Sequence, residues 1–182
     1  MEYSQMIKKA NTDEWYTTEN NVRLILPWLE KTDYKKILCP FDTKESNFVK
    51  VLQRGGYQVT YGHIKTGQDF FDQDLSKFDA VISNPPFSIR DDIFARLYEY
   101  NIPFALIMNL NGIFDSKKRY NIFKQNNFEI LVPRGRMKFF NDNNMGMNSP
   151  NFQSVYICNG FLPRQIIFSG SVEEDCRQMS LF

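Results

Sequence analysis

Asn84-Pro85-Pro86-Phe87 sets an amide, two prolines and an aromatic ring directly after the apolar run from Phe78 to Ser83. In an open α/β sheet, ligands bind beyond the carboxyl ends of the strands, so a buried strand at this point delivers those groups to a binding edge. The prolines fix φ and bias the preceding backbone toward extended conformations, which makes the turn stiff and its carbonyls directional. Stiffness of this kind suits an aromatic amine. Its lone pair is delocalised into the ring, and it reacts only when both N–H groups are held so that the lone pair turns outward. The Asn84 side-chain oxygen and the Pro85 carbonyl are two acceptors for that purpose, and Phe87 offers a face that sets the ring plane. No strong base is implied. The proton can leave after the amine has reacted, so the work is mainly positioning of the amine for attack. The alternative is a proline-stiffened loop that only ends a strand.

These residues need a sheet to hold them. Apolar runs alternate with helix-period segments from about residue 20 to residue 133, which predicts an α/β fold with a mostly parallel sheet. A helix is expected over residues 20–30, with Val22, Ile25, Leu26 and Leu29 inward, then a strand from Lys36 to Phe41. Asp42 with Glu45 reads as a capping box ahead of a helix that carries Phe48, Val51 and Leu52 and ends at Gly55-Gly56. A strand follows from Tyr57 to about Gly62. Phe78 to Ser83 and Phe104 to Leu110 are continuous apolar runs, as expected of central strands covered on both faces. A helix beginning near Ser88 places Ile89, Ile93 and Leu97 inward, and a helix over about 116–126 leads to a strand at 127–133. Past Pro133 only strand-like segments remain, around 136–140, 152–158 and 165–169, and these suit antiparallel edge strands. Residues 1–170 read as one domain and 171–182 as a flexible polar tail.

With 22 basic and 21 acidic residues among 182, the chain as a whole has no electrostatic signature of nucleic-acid binding, so any such surface must be local. Cys39, Cys158 and Cys176 are odd in number, widely separated and without paired zinc-site spacing. The expectation is a reduced, cytoplasmic protein without a metal site. No apolar run approaches membrane-spanning length. A single histidine, His63, without a partner in motif spacing reads as structural.

Asn84-Pro85-Pro86-Phe87 resembles the hallmark of the amino-group methyltransferases, [DNS]-P-P-[FYW] after the fourth strand, and in particular that of the small phage-type N6-adenine DNA methyltransferases; the resemblance covers about residues 13–168. It implies the class I methyltransferase fold, a Rossmann-like seven-stranded sheet, with S-adenosylmethionine lying across the ends of the first strands. It also implies cofactor contacts from Trp15-Tyr16-Thr17, from the loop Cys39-Pro40-Phe41-Asp42, and from Asp69-Phe70, whose carboxylate and ring would meet the cofactor adenine, with a turn and a core Phe as the alternative for that last pair. The loop at residues 39–42 lacks the glycines usual in the family, and His63 and Ile64 stand where an acidic ribose ligand is usual. Asp42 either bonds the cofactor ammonium or caps the following helix. Asn109 and Asn111 either line the base pocket or are turn residues. Asn148 to Phe152 looks like the family's late loop near the base.

Adenine in a duplex must leave the stack before its amine is reachable. Arg134, Arg136 and Lys138, and a second cluster at Lys117, Lys118 and Arg119, are candidates for holding phosphates, against the alternative of solvated surface. Gln178-Met179-Ser180-Leu181-Phe182 resembles the bacterial sliding-clamp-binding pentapeptide, with docking on the chain's own core as the alternative. DNA and a clamp are therefore the expected partners. The competing readings are methylation of an RNA base or a protein glutamine, and a catalytically degenerate fold that binds DNA or a clamp.

Overall fold

A computed structural model describes residues 16–140 and 152–171. Trp15, Asn148 to Asn151, Cys176 and the pentapeptide Gln178 to Phe182 lie outside the described residues. The chain opens on a short strand β1 (Tyr16–Thr17), helix α1 (Glu19–Arg23) and helix α2 (Leu26–Leu29). The single helix expected over 20–30 is thus two. Pro27 lacks an N–H, and its ring would strike the carbonyl of Arg23 in a continuous helix. The four residues expected to face inward are all buried.

Then follow β2 (Lys36–Cys39), α3 (Asn47–Arg54), β3 (Gln58–Tyr61), β4 (Ala80–Ser83), α4 (Arg90–Glu99), β5 (Phe104–Asn109), α5 (Lys117–Gln125), β6 (Glu129–Arg134), β7 (Phe139–Phe140), β8 (Ser154–Asn159) and β9 (Ile166–Ser171). Seven of these strands form one sheet in the order β3-β2-β4-β5-β8-β6-β9, and β1 pairs separately with β7. Three short 3₁₀ turns, at Ile64–Thr66, Phe70–Asp72 and Leu75–Lys77, carry the chain from β3 back across the sheet to β4.

Successive residues of the central strands alternate between two cores, as the two-residue strand period requires. Ile37, Cys39, Ala80, Ile82, Ala105 and Ile107 pack under α1, α2 and α3. Leu38, Val81, Phe104, Leu106 and Met108 pack under α4 and α5. The continuous apolar runs are the consequence of both faces being covered. Six strands run one way and β8 runs against them, antiparallel to β5 and β6. The expectation of antiparallel edge strands holds in part. β8 is interior, β9 forms the edge and is parallel to β6, and the segment at 136–140 contributes only β7, outside the main sheet. Register shifts between Val132 and Arg134, where Pro133 has no N–H to give the ladder.

Candidate functional site

The strand order creates the site. From β2 the chain goes first to β3 on one side and later to β4 on the other, so the loops after β2 and β4 diverge and leave a crevice between them. A cavity of about 420 Å³ opens there. Its floor is the loop Pro40-Phe41-Asp42 and the turn Asn84-Pro85-Pro86-Phe87. His63, Lys65, Gln68, Asp69 and Phe70, from the turns after β3, form one side. The start of α3 at Ser46 and Asn47, together with Tyr16, Thr17, Phe139 and Phe140 of the β1–β7 pair, forms another.

Of the residues singled out in the sequence, Tyr16, Thr17, Pro40, Phe41, Asp42, Asp69, Phe70 and Asn84 to Phe87 all line this one cavity. Cys39 does not. Its side chain is fully buried in the core beneath the loop, where burial pushes the thiol well up, and its carbonyl accepts from the Gly62 amide at 3.1 Å.

Asp42 does not cap a helix. The helix starts at Asn47, five residues beyond Asp42, with Ser46 as its N-cap. The Asp42 carboxyl, 7% exposed, instead accepts from the Ser83 hydroxyl at the end of β4 and is also bonded to the Ser46 hydroxyl. Burial pushes it up to about 7, while the two hydroxyls pull it down. Its position is held by the backbone, since the Asp42 amide donates to the Gly62 carbonyl at 2.9 Å. A Cβ at Gly62 would lie 3.2 Å from Gln68 Cβ and would displace the mobile end of Gln73.

Asp69 accepts from the Phe71 amide at 2.9 Å and so caps its own 3₁₀ turn. Phe70 is 2% exposed, packed against Phe41 and Phe71 with centroids 5.2 Å away in each case. Both residues have a structural duty, and both also face the cavity. His63 Nδ1 accepts from the Lys65 amide at 3.1 Å, capping the turn after β3, so the lone histidine is structural yet lines the cavity too.

Pro85 is buried, and Asn84 and Phe87 are half-buried at the cavity wall. The Phe87 ring meets Phe152 edge-on, with centroids 6.1 Å apart. Asn109 accepts from the Asn111 amide at 2.8 Å and lies outside the cavity lining, which makes the pair turn residues. Of the basic cluster at 117–119, Lys117 and Lys118 stay at the surface and Arg119 turns inward. Lys118 pairs with Asp92, and Arg119, 3% exposed, bonds Asp91 and the carbonyls of Gly112 and Ile113. Arg134, Arg136 and Lys138 are exposed.

Ser46, Asn47, Gln68, Phe139 and Phe140 were not singled out from the sequence. Ser46-Asn47 before Phe48-Val49 is a helix-start signal that was available. Among the described residues, no group of three or more His, Cys, Asp or Glu side chains is placed to hold a metal ion, and no helix is long and apolar enough to cross a membrane.

The sheet, its order and its single reversed strand define a class I, Rossmann-like methyltransferase fold. No protein-family model matches the chain. The type II methyltransferase M.EcoRI of Escherichia coli is 37% identical over 62 residues, a stretch that spans 34% of this chain and 19% of that protein. The solved structure described as a modification subunit of a type I restriction enzyme from Vibrio vulnificus YJ016 superposes with a TM-score of 0.50 at 12% identity, covering 98% of this chain and 55% of that one. The chain therefore spans about half the length of that structure, and the likeness is one of fold. A precorrin-6y C5,15-methyltransferase from Geobacter metallireducens GS-15 gives a TM-score of 0.42 at 14% identity over 80% of this chain and 92% of that one, too low to weigh.

Proposed function

We propose that the chain is an S-adenosylmethionine-dependent methyltransferase that acts on an exocyclic amine, with adenine N6 in DNA as the acceptor. The observation that carries this reading is the meeting, in one cavity at the switch point of the sheet, of a buried carboxylate after β2 and the Asn84-Pro85-Pro86-Phe87 turn after β4. The local likeness to a type II methyltransferase favours DNA over RNA or a glutamine amide as acceptor.

The residues present fit the cofactor. A volume of about 420 Å³ falls within the range usual for small-molecule sites. Asp42 is the buried anion a cationic amino group needs, the first backbone N–H groups of α3 from Asn47 onward offer donors for a carboxylate, and Phe41 and Phe70 give an apolar face beside Asp69. Bound there, S-adenosylmethionine supplies a methyl group on a positively charged sulfur.

Asn84 and Pro85 accept the two N–H groups of the target amine and turn its lone pair toward the methyl. Phe87, backed by Phe152, fixes the plane of the base. The prolines keep both acceptors from moving during transfer, so their alignment is established before the substrate arrives. No side chain is required to take a proton before the bond forms, and the extra proton leaves from the methylated amine to water.

The test is incubation of the protein with tritiated S-adenosylmethionine and, separately, unmethylated duplex DNA, single-stranded DNA and bulk RNA. Label recovered from DNA as N6-methyladenine is the expected result. Label in RNA alone would move the acceptor, and no label in any polymer would overturn the reading.

A further inference from the structure

Ser83 is the polar exception in a strand whose other residues are Ala80, Val81 and Ile82. It is fully buried and pairs with Leu106 through the backbone alone, so sheet formation does not call for a hydroxyl. A buried hydroxyl costs free energy unless it is bonded. This one donates to Asp42, 41 residues away, and that bond crosses the crevice between the loop after β2 and the turn after β4. The next residue along β4 is Asn84. One side chain thus ties the carboxylate on the cofactor side to the backbone that carries the amine-holding amide.

We propose that Ser83 is a positioning residue that couples the two halves of the site, fixing the orientation in which Asp42 presents its carboxylate and, through the shared backbone, the placement of Asn84. This rests on the reading of the cavity as a methyl-transfer site. With Ser83 bonded to one Asp42 oxygen, the carboxylate cannot rotate freely, and a cationic amino group meets it in one geometry. Charge-assisted bonds of this kind are short and directional. The other groups that face Asp42 are the Ser46 hydroxyl at the start of α3, the Cys39 thiol from β2 and the Tyr156 phenol from β8, both of the latter held neutral by burial. Glu45, His63, Lys65 and Asp69 line the same cavity. Burial pushes the Asp42 carboxyl up and the bond from Ser83 pulls it down, so loss of that hydroxyl would let it rise further.

Calorimetric titration of the full chain with S-adenosylmethionine between about pH 5.5 and about pH 9 tests this on wild type, Ser83→Ala and Ser83→Thr, with kcat measured on DNA in parallel. In wild type, affinity is expected to rise with pH as Asp42 ionises and to turn down again as the ligand's own ammonium loses its proton at about pH 8. In Ser83→Ala the midpoint moves about one unit more alkaline and kcat falls about tenfold, and Ser83→Thr restores both. Should Ser83→Ala not fold, Ser83→Cys, close in size and a weak donor, carries the same comparison. A profile that superimposes on wild type, with kcat unchanged, would overturn the coupling even if the variant melts at a lower temperature. Wild type that binds no S-adenosylmethionine at any pH would instead defeat the cofactor reading, and the coupling with it.

Discussion

The enclosure of Asp42 predicts a stability that falls with pH over a definite window. Its carboxyl is almost wholly enclosed, and burial raises it from 3.8 to about 7 against the pull of the Ser83 and Ser46 hydroxyls. A raised acid holds its proton in the folded chain when it has lost it in the unfolded one. Its favourable contribution is therefore complete below about pH 3.8 and is lost progressively up to about pH 7. At about 1.36 kcal/mol per unit, that interval corresponds to at most about 4 kcal/mol, and relaxation of the cavity wall brings the expected effect to about 2 to 4 kcal/mol.

Asp42→Asn removes the titration and keeps the shape. Urea unfolding of both proteins at several pH values between about 4 and about 8.5 gives the comparison, in which only the difference between the two curves matters. Wild type should lose about 2 to 4 kcal/mol relative to Asp42→Asn across the window and then run parallel to it. A difference that does not vary with pH would refute the reasoning, because it would mean that the carboxyl is already ionised in the folded chain at pH 5. S-adenosylmethionine at pH 8 should in turn stabilise wild type more than Asp42→Asn, since its ammonium repays the buried charge.

Asn84→Ala should lower kcat at least a hundredfold while the affinity for S-adenosylmethionine stays within about threefold, read by calorimetry beside single-turnover label transfer; substantial remaining activity would sink the amine-holding role. Arg119→Ala strips the donor from Asp91 and from the carbonyls of Gly112 and Ile113, and should cost about 3 kcal/mol in urea unfolding, whereas Lys117→Ala, exposed beside it, should change stability by less than about 0.5 kcal/mol. Phe168→Ser on β9 should likewise move the unfolding midpoint little, because the ring is 77% exposed despite its size.

How much of this was legible depended on whether a residue's role is local. The central strands read clearly because both their faces are covered and the apolar runs are unbroken, and Asn84 to Phe87 stood out because proline stiffness is a property of the residues themselves. The split at Pro27 is equally local, since a proline inside a helical period marks a break. Arg119 also carried a sign, since it lies four residues before buried Phe123 and so shares the inward face of α5. Other features depended on pairing between distant segments. Phe139 and Phe140 reach the cavity only because β7 pairs with β1, more than a hundred residues earlier in the chain. The direction of β9 depends on its partner β6, not on its own alternation. Ser83 looks like an ordinary strand-end serine until Asp42 is found across the crevice.

The two walls of the cavity are held in different ways. The inner wall hangs from the ends of β2 and β4, both buried strands in the middle of the sheet, and its key groups are fixed by proline rings, by the Asp42–Gly62 backbone bond and by the Ser83 hydroxyl. The outer wall is the β1–β7 pair, a ladder of two residue pairs, far too short to stand alone. Side chains hold it from beneath. Asn47 at the start of α3 donates to the Thr17 carbonyl at 2.8 Å, and Asn21 on α1 donates to the Lys138 carbonyl at 2.7 Å. Asn21 is itself pinned, because its carbonyl accepts from the Tyr156 hydroxyl on β8 at 2.9 Å. The proposed methyl-transfer site needs its acceptor groups rigid and its boundary able to admit a substrate. In this chain the rigid half rests on the central strands and the outer half on a few side-chain bonds, each worth about 1 kcal/mol. Opening of the outer wall is therefore expected to leave the alignment of Asn84, Pro85 and Asp42 undisturbed.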